Sequence, residues 1–256
     1  MTTVAPTARD SGVPLTRLVR VELRKTVDTR AGRWLLIAIG VITFLAIALF
    51  LGFADDRDLN FADLALVAAA PQGFLLPVLG ILTVTSEWSQ RTGLVTFTLE
   101  PRRGRTLAAK LLAVLLLGLI AIALLLVLAA VATVIAAATG GEGSWDDALS
   151  TCGKLCVLQL IGLLSGFALG TILLNSAAAI VLSFVLPTAV SILVGIVTAL
   201  EPSARWWDIN TAQAPLFDDE RALDATAWLQ IVVTSVWWIW IPLALGARRV
   251  LRAEVK

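Results

Sequence analysis

Apolar residues in this chain come in long unbroken stretches rather than in the short alternations of a soluble fold. Stretches free of Asp, Glu, Lys and Arg cover 34–54, 64–86, 111–141, 155–200 and 225–247. A helix needs about 20 apolar residues to cross a bilayer's hydrocarbon, so four of these suit one crossing each. The 155–200 stretch is 46 residues long, about twice a span at a rise of ~1.5 Å per residue. The polar pair Asn175-Ser176 at its middle suits a tight turn, which makes this stretch a helical hairpin. The pattern therefore predicts an all-α integral membrane protein. Its six transmembrane helices fall at about 34–54, 64–86, 107–139, 152–174, 177–200 and 225–247.

Composition agrees: 58% of the 256 residues are hydrophobic and 15% charged, against about 25% charged in soluble domains. Charge placement tests the number of crossings. Segments 1–33, 87–110 and 248–256 carry 16 Lys/Arg and 6 Asp/Glu, while 55–63, 142–154 and 201–224 carry 4 and 13. Lys and Arg are retained on the cytoplasmic side, so both termini are expected there. Five crossings would put the basic tail Arg248, Arg249, Arg252 and Lys256 on the opposite side.

Residues 1–13 read as a disordered lead, and 14–256 as a single membrane domain. The lead is long and polar, unlike a cleavable signal. Pro14 is placed to open a helix. From there Leu15, Leu18, Val19, Leu23 and Val27 share one half of a helical wheel, with Arg17, Arg20 and Arg24 opposite. This suits an N-terminal amphipathic helix lying on the membrane surface; a plain basic flank that fixes orientation is the other reading. Glu22 interrupts the apolar half and has Lys25 at i+3 or a neighbouring element as partner.

The second crossing holds Pro71, Gly73, Pro77 and Gly80. Proline removes a backbone bond and kinks a helix, giving either a pathway wall or an ordinary transmembrane proline. Gly162, Gly166 and Gly170 in the fourth crossing form a small-xxx-small face for close helix packing. Trp237, Trp238 and Trp240 are expected as interfacial anchors near the inner end of the last helix. The segment 201–224 is long for a connection, which suggests that it dips into the outer leaflet.

Chemistry of other kinds finds no residues. There is no G-x-x-x-x-G-K-[ST] loop, so ATP hydrolysis by this chain alone is not expected. Without histidine, and with only Cys152 and Cys156 as thiols, neither imidazole catalysis nor a zinc site is expected. None of the five stretches contains an ionisable group, which leaves no evident ion-coupling site. A basic surface for nucleic acid is not expected either.

The inner loop from Ser86 to Lys110 is the most distinctive segment. Glu87 has Arg91 at i+4, a favourable order for a pair. Leu94, Val95, Phe97 and Leu99 present large apolar side chains, and Pro101 precedes a basic knuckle of Arg102, Arg103 and Arg105. A solvated topogenic loop explains the arginines but not the apolar residues, which suit docking to a protein.

This spacing resembles the permease subunits of ABC-2 type transporters, on Glu87, Thr92, Leu99, Pro101, Arg105, Leu107 and Lys110. The segment Val21 to Lys25 is similar to that family's N-terminal surface helix, and the closing Gly246 to Arg249 also agrees. Gly93 is a departure that loosens the local helix. The resemblance implies a cell-membrane protein that pairs with a second permease subunit, as homodimer or heterodimer. Each subunit would bind a separately encoded ATP-binding subunit, which holds ATP and Mg; no cofactor is expected in this chain. Export of an amphipathic or hydrophobic substrate would follow. Glu87 and Arg91 would orient a coupling loop, Leu94 to Leu99 would fill a groove of the ATPase, and Arg103 and Arg105 would flank it. On that reading Glu87→Ala and Phe97→Ala should uncouple hydrolysis without unfolding. The competing readings are a membrane scaffold that docks a cytoplasmic partner, and a transferase acting on lipids.

Overall fold

The computed structural model describes residues 13–55, 58–89, 102–217 and 223–252. Six of its helices are long and apolar enough to cross a membrane, and no strand occurs among the described residues. A short first helix, α1 (Leu15–Asp28), opens directly after Pro14. Thr29 ends it and caps the next helix, its hydroxyl accepting from the Gly32 N–H at 3.3 Å. The first four apolar helices are α2 (Arg30–Phe53), α3 (Phe61–Ser89), α4 (Arg103–Thr139) and α5 (Ala148–Leu173). The hairpin turns at Leu174, in the left-handed region at φ 52°, and Asn175. Asn175 caps α6 (Ser176–Ile196) by accepting from the Ala178 N–H at 3.1 Å.

The core lies between α3 and α5. Gly162, Gly166 and Gly170 fall on one face of α5 and meet Pro77 and Ile81 of α3, while Gly80 of α3 meets the backbone of Leu163 and Phe167. Missing side chains on both helices let their backbones approach, so dispersion contacts replace a hydrophobic drive that lipid does not supply. Against this pair α4 presents a buried stripe of Ala121, Leu125, Ala129, Ala132 and Ala136 at helical spacing, alanine at all but one position. Helices α2 and α6 bury least and expose broad apolar faces such as Val41, Phe44, Leu45, Val181 and Val185, as expected where lipid is the solvent.

At one end of the bundle, away from the termini, two short connections knit together. The Phe61 N–H donates to Ser144 O at 3.0 Å and the Gly143 N–H to Leu59 O at 2.9 Å, and Phe61 stacks on Trp145. The longer connection folds back into the bundle. It comprises a 3-10 turn (Thr198–Leu200), α7 (Glu201–Ala204), α8 (Ile209–Gln213) and a second 3-10 turn (Ala214–Phe217). Ile209 and Leu216 are buried against Ile161, Ile231 and Ile239.

The last crossing is α9 (Ala225–Ser235), a π turn (Val236–Trp240) and α10 (Ile241–Arg252). Pro242 cannot donate to the carbonyl four residues back, and the wider turn before it carries the Ile241 N–H to Val236 O instead. Trp238 lies mid-helix, and its indole N–H donates to Trp207 O of the folded-back segment at 2.8 Å. This corrects its expected place at the inner end: Trp238 holds the connecting segment in the bundle, while Trp237 and Trp240 are exposed.

Candidate functional site

Four charged side chains from three helices meet at the end of the bundle that carries the termini. Glu22 comes from the buried face of α1, Glu87 from the last turn of α3, and Lys110 from the second turn of α4. Lys25 stands one turn after Glu22. Its ammonium donates to Glu22 Oε1 at 2.8 Å and to Glu87 Oε1 at 2.7 Å. Lys110 Nζ donates to Glu22 Oε2 at 2.7 Å, lies 3.2 Å from Glu87 Oε1, and also reaches Thr83 O at 3.3 Å. Each carboxylate thus meets both ammoniums, and each ammonium both carboxylates. This closed charge square carries no net charge.

Glu22, Glu87 and Lys110 are each no more than 6% exposed, while the Lys25 side chain is 39% exposed and forms the wet edge. Charges removed from water at such burial persist only when paired and hydrogen-bonded, and alternation around the square supplies both conditions. Burial of Lys25 opposes its charge. The hydrogen bonds and negative charge of Glu22 and Glu87 outweigh that, holding its pKa above the ordinary 10.5. A raised lysine pKa stabilises the fold fully below the unfolded value, and this contribution fades as pH rises through the folded value. The melting difference between the protein and Lys25→Met should therefore stay constant from about pH 7 to about pH 10 and shrink only above that. A difference that closes below pH 9 would remove Lys25 from the square.

The square holds the two bases of the segment 90–101, since Glu87 precedes it and Lys110 follows it. Arg91, Thr92, Leu94, Phe97, Leu99 and Pro101 lie outside the described residues. Arg103 Nη1 donates to Val250 O of α10 at 3.2 Å, and Arg105 Nη2 to Val13 O at 2.6 Å. Both arginines therefore tie the start of α4 to the ends of the chain. Glu87 was expected to orient the loop together with Arg91, which lies outside the described residues; its described partners include Lys25 and Lys110. Since Glu87 is buried in a charge network, Glu87→Ala is expected to perturb the fold as well as any coupling. Glu22 takes both of the partners open to it, Lys25 and a residue of another helix.

On α1 the arginines 17, 20 and 24 are exposed, as are Leu15, Val21 and Val27, whereas Leu23 is half-buried. The helix leans on α2 and α4 with the side that carries Glu22.

Sequence reasoning did not reach Asp208. Its carboxylate is fully buried and caps α8, accepting from the Asn210 and Thr211 N–H groups. The Ser191 hydroxyl of α6 lies 3.0 Å from each of its oxygens. An Asp ahead of Ile-Asn-Thr is a helix-start signal, but its tie to α6 is a tertiary pairing that no spacing shows. Two amides inside the bundle were also missed. Gln72 Nε2 donates to Ala121 O at 3.0 Å, and Gln159 Nε2 to Ala69 O at 2.8 Å.

These features define a multi-pass helical membrane protein whose terminus-bearing end is locked by charge and whose opposite end is closed by a folded-back segment. Neither protein-family models nor curated proteins give a match to this chain.

Proposed function

We propose that this chain is the membrane-spanning subunit of an ATP-driven exporter of the ABC-2 permease kind, which moves an amphipathic or hydrophobic substrate. The observation that carries this reading is the charge square. It joins α1, α3 and α4 at the two bases of the 90–101 segment, so force applied to that segment reaches α3 and α4 together rather than bending one loop. A solvated topogenic loop needs no such reinforcement. The apolar residues Leu94, Phe97 and Leu99 supply a surface for a cytoplasmic ATP-binding subunit. The distribution of Lys and Arg supports a cytoplasmic location for this end, which would set α1 beside the inner membrane surface. ATP and Mg belong to the partner subunit. A second permease subunit would cover part of the apolar surface of α2 or α6.

The test is co-purification with a candidate ATP-binding subunit co-expressed with this chain, followed by ATP hydrolysis in lipid discs. Phe97→Ala is the clean variant, because it removes no charge from the square. It should retain the melting temperature of the parent and lose most of the hydrolysis that the membrane subunit stimulates. Unchanged stimulation in Phe97→Ala would remove the coupling role of the loop. Failure to bind any nucleotide-hydrolysing subunit would put the scaffold reading ahead.

A further inference from the structure

A cleft of about 590 Å³ opens between α3 and α5 beneath α8. It adjoins a second space of about 240 Å³ bounded by α6. Gly73, Phe74, Gly162, Asn210 and Gln213 line both.

Among the described residues no charged side chain lines either space, so an ionic guest would meet no counter-charge from them and lose its hydration. The walls are apolar: Leu158, Ile161 and the Phe74 and Phe184 rings, whose centres lie 5.6 Å apart. Polar groups are present but neutral, namely Gln159, Asn210, Gln213 and Ser165, whose hydroxyl is buried with no hydrogen-bond partner. The prolines of α3 add acceptors. Pro71 and Pro77 cannot donate to the carbonyls four residues back, which belong to Val67 and Gly73, and both residues line the cleft. Gly73 has no side chain to cover its own carbonyl, and a Cβ built there meets nothing within 4 Å.

We infer that this cleft binds an uncharged amphiphile whose polar end carries hydroxyl or amide donors. The apolar part lies along Phe74, Phe184 and Leu158. The polar end meets Ser165, Gln213 and the carbonyls that the prolines leave without a donor. Segment 201–217 forms the roof, held to α6 through Asp208 and to the last crossing through Trp207. The inference rests on the transport reading for its purpose, since the occupant would be the cargo, but binding is measured without any ATPase.

The experiment uses the full chain in lipid discs and a monoacylglycerol with a diazirine in its acyl chain. Comparison probes carry the same chain on a trimethylammonium head or in phosphatidylcholine, and cross-linked peptides are mapped by mass spectrometry. The monoacylglycerol should label 66–74 and 158–166 at least several-fold more than either comparison probe. Gly73→Leu projects into the cleft from a position where a Cβ meets nothing within 4 Å, and should abolish that labelling while leaving labelling of lipid-facing α2 unchanged. Gln213→Leu should weaken it roughly threefold to tenfold, the loss of one neutral hydrogen bond. Melting curves establish that each variant is folded.

Equal labelling by the phosphatidylcholine probe would make the cleft ordinary bilayer space, and labelling indifferent to Gly73→Leu would place the probe elsewhere; either overturns the inference. Correct labelling together with failed ATPase pairing would leave the cleft standing and remove the transport reading. The converse result would remove the cleft alone.

Discussion

Lys110→Met is expected to destabilise the protein by about 3–5 kcal/mol, the usual cost of stranding a buried charge. In its absence Lys25 is the described cation left to both Glu22 and Glu87; it is partly hydrated and bonds one oxygen of each. Among the described residues Glu22 Oε2 then has no cation near it, in a site where its residue is 5% exposed. The effect should appear as a large fall in melting temperature in detergent and a shift of the size-exclusion peak toward aggregate. Its origin can be isolated with Glu22→Gln/Glu87→Gln/Lys110→Met, which removes both carboxylates and their buried partner together. Because an apolar or neutral replacement of a whole buried network is often tolerated, this triple variant should recover much of the stability lost in Lys110→Met. A triple variant as unstable as the single would mean that Lys110 acts through packing of its stem rather than through its charge. An unchanged melting temperature in Lys110→Met would remove the square as a stabilising element.

Crossing positions were legible because lipid imposes a length and a charge rule that a sequence displays directly. Helix ends were not legible, since apolarity and helicity are different properties. The third crossing was expected from about 107, but α4 begins at Arg103, because Arg and Lys are good helix formers and the helix continues past the hydrocarbon. The fifth was expected to reach 200, yet α6 stops at Ile196 and the apolar residues Val197, Ala199 and Leu200 belong to a turn. No charge marks that break. Candidate site residues divide the same way. Glu22, Glu87 and Lys110 sit at the margins of apolar stretches, where a charge reads first as a marker of topology. What makes them a site is that Lys25 meets Glu87 across 62 positions of chain and Lys110 meets Glu22 across 88, a tertiary fact with no local signature. The small-residue face at Gly162, Gly166 and Gly170 was visible as a pattern; its partner on α3 was not.

That partner makes the glycine face quantitatively testable, because each position offers a different clearance to an added methyl group. At Gly166 a Cβ would stand 2.7 Å from Pro77 Cα and closer still to the Pro77 carbonyl. Backbone cannot swing aside as a side chain does, so α3 and α5 would have to part. Overpacking of this kind costs about 1–3 kcal/mol, more than the gain of about 1 kcal/mol that alanine brings over glycine in a helix. Gly166→Ala should therefore lower the melting temperature clearly, and Gly166→Leu should prevent folding. At Gly170 the nearest atoms are also backbone, of Ile81, but at 3.2 and 3.3 Å, so alanine there should cost little. Gly162 meets only the Pro77 ring, at 3.5 Å, and Gly153 of the same helix meets nothing within 4 Å. Alanine at Gly162 should be neutral, and at Gly153 stabilising by up to about 1 kcal/mol. The order Gly166, Gly170, Gly162, Gly153, from most to least damaging, follows from clearance alone. A series of melting curves on the four alanine variants in one detergent decides it. Gly166→Ala as stable as Gly153→Ala would show that α3 and α5 do not touch backbone to backbone.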